Sequence, residues 1–410
     1  MGCTSLTTAP SLPATELSSH CYERLFSGCT SLTSAPVLSA TTLAEQCYYA
    51  MFENCLITTA PALPVTDLTD FCYGYMFSGC TSLTTAPALP ATYLYEGCYC
   101  GMFEGCTSLT ATPTLPADEY LASNCYDKMF KNCTSLTSVP ASLPYQMQDD
   151  YNVPEEIYKE MFSGCTSLTT TPALPSTIVT YGSYSSMFEG CTSLTTTPAL
   201  PATTLGTYAY QCMFKDCTSL TTVSSLATLS YTVNNYGAEY GYNEMFKGCT
   251  SLTSVPAINC NTYIFDYQYM SMFEGCTTLI TPPTLGITSM SAYSCCENMF
   301  KGCTSLTSIP SLSSVTEVGD SACYGMFAGC TSLTTVSIPN ISTYSENYTF
   351  SGMFQDCTNL TDVTCLITNY DKDNSDAFYN WLDNVAATGT LKKKSSSNFE
   401  VPEGWTVTNV

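Results

Sequence analysis

The sequence predicts an α/β solenoid of about thirteen to fourteen coils, each a short strand plus a helical turn, closed by a small α+β C-terminal cap. Three observations predict it: one word recurs along the chain, its spacing is nearly constant, and apolar residues return at fixed places around it. The word is Met-Phe-x-(Gly/Asn/Asp)-Cys, mostly followed by Thr-x-Leu-Thr. It stands at Met51, Met76, Met102, Met129, Met161, Met187, Met213, Met245, Met272, Met299, Met326 and Met353, with a degenerate copy at Arg24-Leu25-Phe26 and a half copy at Gly2-Cys3-Thr4. The marker cysteines, from Cys3 and Cys29 to Cys330 and Cys357, are spaced by 25 to 27 residues except for two steps of 32. A fixed period of that size means units that bury their apolar face only by stacking on their neighbours. The repeats place the solenoid at residues 1–367 and the cap at 368–410.

Within one repeat, Leu43, Cys47, Met51 and Cys55 recur every four residues with Tyr48 and Phe52 beside them, which predicts the apolar stripe of a short helix or helical turn. The residue before each marker Cys is Gly, Asn or Asp (Gly28, Asn54, Gly79, Gly105, Asn132, onward to Asp356), types that tolerate a left-handed backbone and so end that helical turn. An extended segment follows, as at Thr81 to Pro90, with Leu83 pointing inward. Pro recurs seven residues past most marker cysteines (Pro36, Pro87, Pro140, Pro172, Pro198, Pro256, Pro310) and cannot donate to a ladder, so these strands should be short. Two residues earlier runs a Thr/Ser column from Thr8 and Ser34 to Ser308 and Thr335, expected to coat one face with hydroxyls.

The word Phe-x-Gly-Cys-Thr-Ser-Leu-Thr-x-x-Pro-x-Leu-Pro resembles the BspA-type leucine-rich repeats of bacterial cell-surface proteins over about residues 2 to 367. Met-Phe in place of Ala-Phe, a longer period and a Pro inside the strand depart from that pattern, and the period is also similar to the 26-residue repeats of bacterial surface lipoproteins. The resemblance implies a leucine-rich-repeat-like right-handed superhelix, a secreted adhesion or protein-binding module on the bacterial cell surface, and no catalytic residues. The chain opens inside a repeat, so a signal or lipid anchor is expected in a segment preceding Met1.

Bulk composition narrows the partners. Acidic residues number 34 against 11 basic, for a net charge of −23, and a surface so negative repels nucleic acid. No apolar run is long enough to insert this segment into a membrane as a helix. Most of the 26 cysteines fall in two columns, the fourteen markers and a set seven or eight residues earlier made of Cys21, Cys47, Cys72, Cys98, Cys125, Cys295, Cys296 and Cys323. Stacked coils hold equivalent residues about 4.8 Å apart, wider than a disulfide's Cβ separation, so buried free thiols are expected. Cys98-Tyr99-Cys100 and Cys295-Cys296 lack zinc-ligand spacing, and neither a metal nor a cofactor is expected.

The two long steps carry insertions at the same phase, within Leu143 to Glu160 and within Leu229 to Glu244. Solenoid insertions project as loops, often on the binding side. Tyr145, Asp149, Asp150, Tyr151, Glu155, Glu156, Tyr236, Glu239, Tyr240 and Tyr242 are therefore the candidate ligand-binding residues, because Tyr offers a large rigid contact at low entropic cost. Past Leu366 the repeat stops. Asp371 to Asp376 reads as an N-cap for a helix over Ala377 to Ala387, and Gly389 to Lys392 and Trp405 to Thr408 as two closing strands.

Three function classes follow. A binding or adhesion module, recognising a protein or carbohydrate on a host or neighbouring cell, fits a long surface with Tyr and charge concentrated in one zone. A passive spacer or stalk would fill its exposed positions interchangeably. A carboxylate-based glycan hydrolase would need pairs such as Asp149/Asp150 or Glu155/Glu156 opposed across a cleft. With His20 the only histidine and no nucleophile or phosphate-loop motif, the expectation is a binder and not an enzyme.

Overall fold

Consecutive four-residue turns, and not helices, carry the repeated word. The computed structural model describes residues 2–63, 65–116, 121–144, 154–226, 238–259, 264–345, 347–368, 370–373 and 375–410. No α-helix occurs among them. The chain divides into two compact units, Met1–Ala199 and Leu200–Val410. Each is a β-solenoid.

The row at residues 71–80 illustrates the first unit. Phe71, Tyr75 and Gly79 have φ of 51°, 54° and 70°, so every fourth residue is left-handed. Alternate N–H groups close turns on the same row, Gly74 to Phe71 O (3.0 Å) and Met76 to Tyr73 O (3.2 Å). The others cross to the next row: Tyr73 to Cys98 O (3.2 Å), Tyr75 to Cys100 O (2.7 Å), Phe77 to Met102 O (2.9 Å). All cross-row donors thus leave one edge and all acceptors the other. The helical turns read from the sequence are replaced by this arrangement because both bring residues four apart to one face. The helix expected over 377–387 is corrected in the same way: Asn380 and Asn384 are left-handed, and Tyr379, Trp381 and Asp383 close turns.

Two residues of every four point inward, and they build the core. In the first unit Phe26, Phe52, Phe77, Phe103, Phe130, Phe162 and Phe188 stack in sequence with centroids 5.6 to 5.7 Å apart. Tyr48, Tyr73, Tyr99, Tyr126, Tyr158 and Tyr184 form a second buried stack beside them. In the second unit the Phe column runs from Phe214 through Phe246, Phe273, Phe300 and Phe327 to Phe354, and Trp381 follows it. Counted on this column each unit has about seven turns. The thirteen to fourteen coils expected in one superhelix are not the unit of this architecture.

The marker thiols fix the rows further. Most of them donate S–H to the carbonyl of the Phe one row back, as Cys80 Sγ to Phe52 O (3.1 Å) and Cys303 Sγ to Phe273 O (3.1 Å). All described cysteines are free, and apart from Cys3, Cys21 and Cys212 they are buried.

Strands are minimal through most of the chain. Two-residue pieces form β1 (Ile178–Val179), β2 (Ala199–Leu200), β3 (Thr204–Leu205), β4 (Ser225–Leu226), β5 (Ile258–Asn259), β6 (Leu285–Gly286), β7 (Ser289–Met290), β8 (Glu317–Val318) and β10 (Thr343–Tyr344). Longer ones are β9 (Thr335–Ile338), β11 (Asp362–Cys365), β12 (Gly389–Lys393) and β13 (Trp405–Asn409), which pair in parallel in the order β13-β12-β11-β9. Proline explains the contrast. Where Ser337 and Thr364 occupy its place, the ladder extends to four residues.

Candidate functional site

The residue nine before each marker Cys begins the left-handed series of its row, and in the second unit three successive rows place a tyrosine there. Tyr208, Tyr240 and Tyr267 have φ of 59°, 56° and 58°. Their rings stack at 5.0 Å (Tyr208–Tyr240) and 4.5 Å (Tyr240–Tyr267), and Tyr293 meets Tyr267 edge-on at 5.3 Å. Cross-row bonds hold the backbone in place: Tyr208 N–H to Glu239 O (3.0 Å), Tyr240 N–H to Asp266 O (3.2 Å), Tyr267 N–H to Tyr293 O (3.0 Å). The Asp266 carboxylate accepts from the Tyr293 N–H at 2.8 Å.

This is a surface feature. Tyr208, Tyr240 and Tyr267 are half-buried, Tyr293 is 46% exposed, and Glu239 and Asp266 beside them are exposed. Burial, with the neighbouring Tyr267 and Tyr208 phenols, raises the Tyr240 phenol above its ordinary range. Four residues further on, Glu244 lies between Lys215 (2.7 Å) and Lys247 (2.9 Å), and Lys247 reaches Glu274 at 3.0 Å. Burial opposes ionisation of Glu244, but its two lysine hydrogen bonds prevail and its carboxyl is lowered. These lysines are engaged by row carboxylates, so the tyrosine row faces solvent with acidic neighbours.

The candidate residues distribute as follows. Tyr240 joins the row and Glu239 stands exposed next to it. Tyr242, two residues on, turns inward: it is 4% exposed and stacks on Tyr269 at 5.6 Å in the buried tyrosine column. In the first unit Glu155 is exposed, while Glu156, at the row position equivalent to Tyr240, is left-handed and paired with Lys159 at 2.6 Å. Tyr145, Asp149, Asp150, Tyr151 and Tyr236 lie outside the described residues. Tyr208, Tyr267 and Tyr293 were absent from the candidate set. The first two were detectable, because they share with Tyr240 the offset of nine from the marker Cys.

The Thr/Ser column is exposed throughout both units, as expected. Its neighbour toward the N-terminus donates to the previous coil, as Thr137 Oγ1 to Thr110 O (3.3 Å) and Thr307 Oγ1 to Ile280 O (3.3 Å). Among the described residues no group of three His, Cys, Asp or Glu side chains could hold a metal ion, and no helix is long and apolar enough to cross a membrane.

A sequence profile of the BspA type leucine rich repeat region matches in six copies, over residues 3–137, 97–221, 129–297, 228–353 and 272–401. No curated protein matches the chain. Among solved structures, a leucine-rich repeat protein from Bacteroides ovatus ATCC 8483 is similar at 20% identity and a TM-score of 0.48, over 96% of this chain and 85% of that one. A leucine rich cell surface protein from Faecalibacterium prausnitzii A2-165 is similar at 19% identity and a TM-score of 0.31, over 86% and 76%. The recurring word, the stacked rows it builds and the profile coincide over nearly the whole length, and this chain belongs to the BspA type leucine rich repeat family.

Proposed function

We propose that this chain is a bacterial cell-surface binding module that takes a protein ligand through the tyrosine row of its second unit. The observation that carries the reading is the run of rings on one surface: Tyr208, Tyr240 and Tyr267 stack at 5.0 and 4.5 Å on three consecutive rows, with Tyr293 edge-on beside them. Other rows hold unlike residues at the same left-handed position, from Gln46 and Phe71 to Gly97, Glu156 and Ser321, so the row geometry does not itself require tyrosine. Half-buried tyrosines gathered in one zone favour a binder over a spacer, because Tyr offers a large rigid contact at low entropic cost. The second 32-residue step puts inserted residues next to the row in sequence, and we read Tyr236 and Glu239 as further contacts with Tyr240; Tyr145, Asp149, Asp150, Tyr151, Glu155 and Glu156, at the first unit's insertion, are read as a contact surface of that unit by itself. Residues 368–410 are read as the capping segment, and the chain as having no catalytic activity.

The test uses the whole chain immobilised against a biotinylated extract of host cell-surface proteins, with a glycan array in parallel. Retention of defined proteins that falls at least tenfold in the Tyr208→Ala/Tyr267→Ala/Tyr293→Ala variant supports the reading. Retention unchanged in that variant sinks it, and binding confined to the glycan array replaces the protein ligand with a carbohydrate.

A further inference from the structure

The last coil of the second unit is built unequally. β12 is followed by β13, so the sheet gains a final strand, but the chain between Lys393 and Trp405 contributes no turn row. The row at 377–384 is consequently the last of its kind. Its carbonyls are used: Gly352 N–H reaches Tyr379 O, Phe354 N–H reaches Trp381 O and Asp356 N–H reaches Asp383 O, each at 2.9 Å. Its outward donors are not. Among the described residues the N–H groups of Asn380, Leu382 and Asn384 meet no acceptor, although their counterparts Gly352, Phe354 and Asp356 all do.

A groove of about 330 Å³ lies along this edge, between Asn380–Ala387 and the 400–403 segment. Trp405 helps hold that segment in place, donating its indole N–H to Ala386 O at 2.7 Å. Asp383, Glu400 and Glu403 line the groove and are all exposed; among the described residues none of them is ion-paired and no Lys or Arg lines the groove.

Two requirements select an occupant. A run of unpaired N–H groups attracts oxygen acceptors, anions included. Three surrounding carboxylates repel a free anion, whereas peptide carbonyls satisfy the donors without adding negative charge. Cationic side chains on the same peptide would meet the carboxylates. We propose that this groove is a docking site for a basic peptide segment, which adds its carbonyl edge to the 377–384 row and sets Lys or Arg against Asp383, Glu400 and Glu403. Main-chain addition supplies the affinity and the acidic rim the selectivity, the division found where extended peptides join a sheet edge. The surface is separate from the tyrosine row, and substituting that row leaves it intact.

The probe is a blocked hexalysine peptide titrated into the full chain, with amide hydrogen exchange read residue by residue. A chain of charge −23 attracts oligolysine everywhere, so bulk binding proves nothing and the three amides decide. Exchange at Asn380, Leu382 and Asn384 is expected to slow at least tenfold, with Phe354 unchanged. A neutral Gly-Ser hexapeptide should need at least tenfold more peptide for the same protection, as should hexalysine on the Asp383→Asn/Glu400→Gln/Glu403→Gln variant. Hexalysine binding without protection of these amides overturns the proposal, as does equal protection by inorganic phosphate.

Discussion

Raising the pH should unfold this protein through its cysteines. Burial pushes Cys72, Cys100 and Cys165 in the first unit, and Cys303, Cys357 and Cys365 in the second, up to about 12. An unfolded thiol titrates near about 8.5. The folded value lies above the unfolded one, so the native state holds its protons longer. The stabilisation is complete below about pH 8.5 and shrinks as pH climbs toward about 12, by about 1.4 kcal/mol per pH unit for each thiol. At about pH 10 three such thiols cost each unit roughly 6 kcal/mol, within the 5 to 15 kcal/mol that holds a typical domain together. Cys106, Cys133, Cys249, Cys276 and Cys330, raised well above their ordinary range, add to that loss. Circular dichroism and the thiolate absorbance band, followed together under reductant, should change in one steep step by about pH 10. A thiolate signal that grows gradually from about pH 8.5 while the dichroism holds would refute the reasoning, because it would mean that the columns ionise in place.

Other substitutions probe the stacks. Phe103→Ala removes a fully buried ring lying between Phe77 (5.7 Å) and Phe130 (5.6 Å), and urea unfolding should report a loss of about 4 kcal/mol. The Tyr73 hydroxyl is buried with no hydrogen-bond partner, whereas the Tyr126 hydroxyl donates to Pro116 O at 2.9 Å. Tyr73→Phe should therefore raise the urea midpoint, by about 1 kcal/mol in stability, and Tyr126→Phe lower it by about the same amount.

Much of this architecture was legible because one residue type met one physical demand. Gly28, Asn54, Gly79, Asn132 and Asp356 announce a left-handed position, and each adopts it. Prolines limited the strands, and the ladder lengthens where Ser337 and Thr364 replace them. The turn rows stayed hidden because Ala50, Phe71, Tyr75, Lys128 and Glu160 are left-handed without any side-chain reason. Cross-row hydrogen bonds impose that conformation, and those are long-range. The stripe Leu43, Cys47, Met51, Cys55 did hold a clue: steps of four on a 3.6-residue helix drift by about 40° each, so a strictly four-residue stripe of this length suits turns better. The site was half legible for the same reason. Offset from the marker Cys aligns Tyr208, Tyr240 and Tyr267, but the in-in-out-out alternation of the turns decides that Tyr240 faces water and Tyr242 the core.

Ser186 turns that distinction into an experiment on the sign of an effect. It sits mid-row between Gly182 and Gly190, with φ of 53° and a side chain that is half-buried. Were the row helical, Ser186→Gly would place glycine inside a helix and destabilise the protein by about 0.5 kcal/mol. In a left-handed position glycine relieves a strain of about 1 to 2 kcal/mol. Against that stands the greater freedom glycine gives the unfolded chain, worth about 0.4 to 1 kcal/mol. The net expectation is a gain of about 0.5 to 1 kcal/mol, read as a higher urea midpoint with an unchanged slope. Since the two backbones predict opposite signs for one small substitution, a lower midpoint would return the row to a helix. The single-edged array of donors, on which the C-terminal groove depends, would then be lost as well.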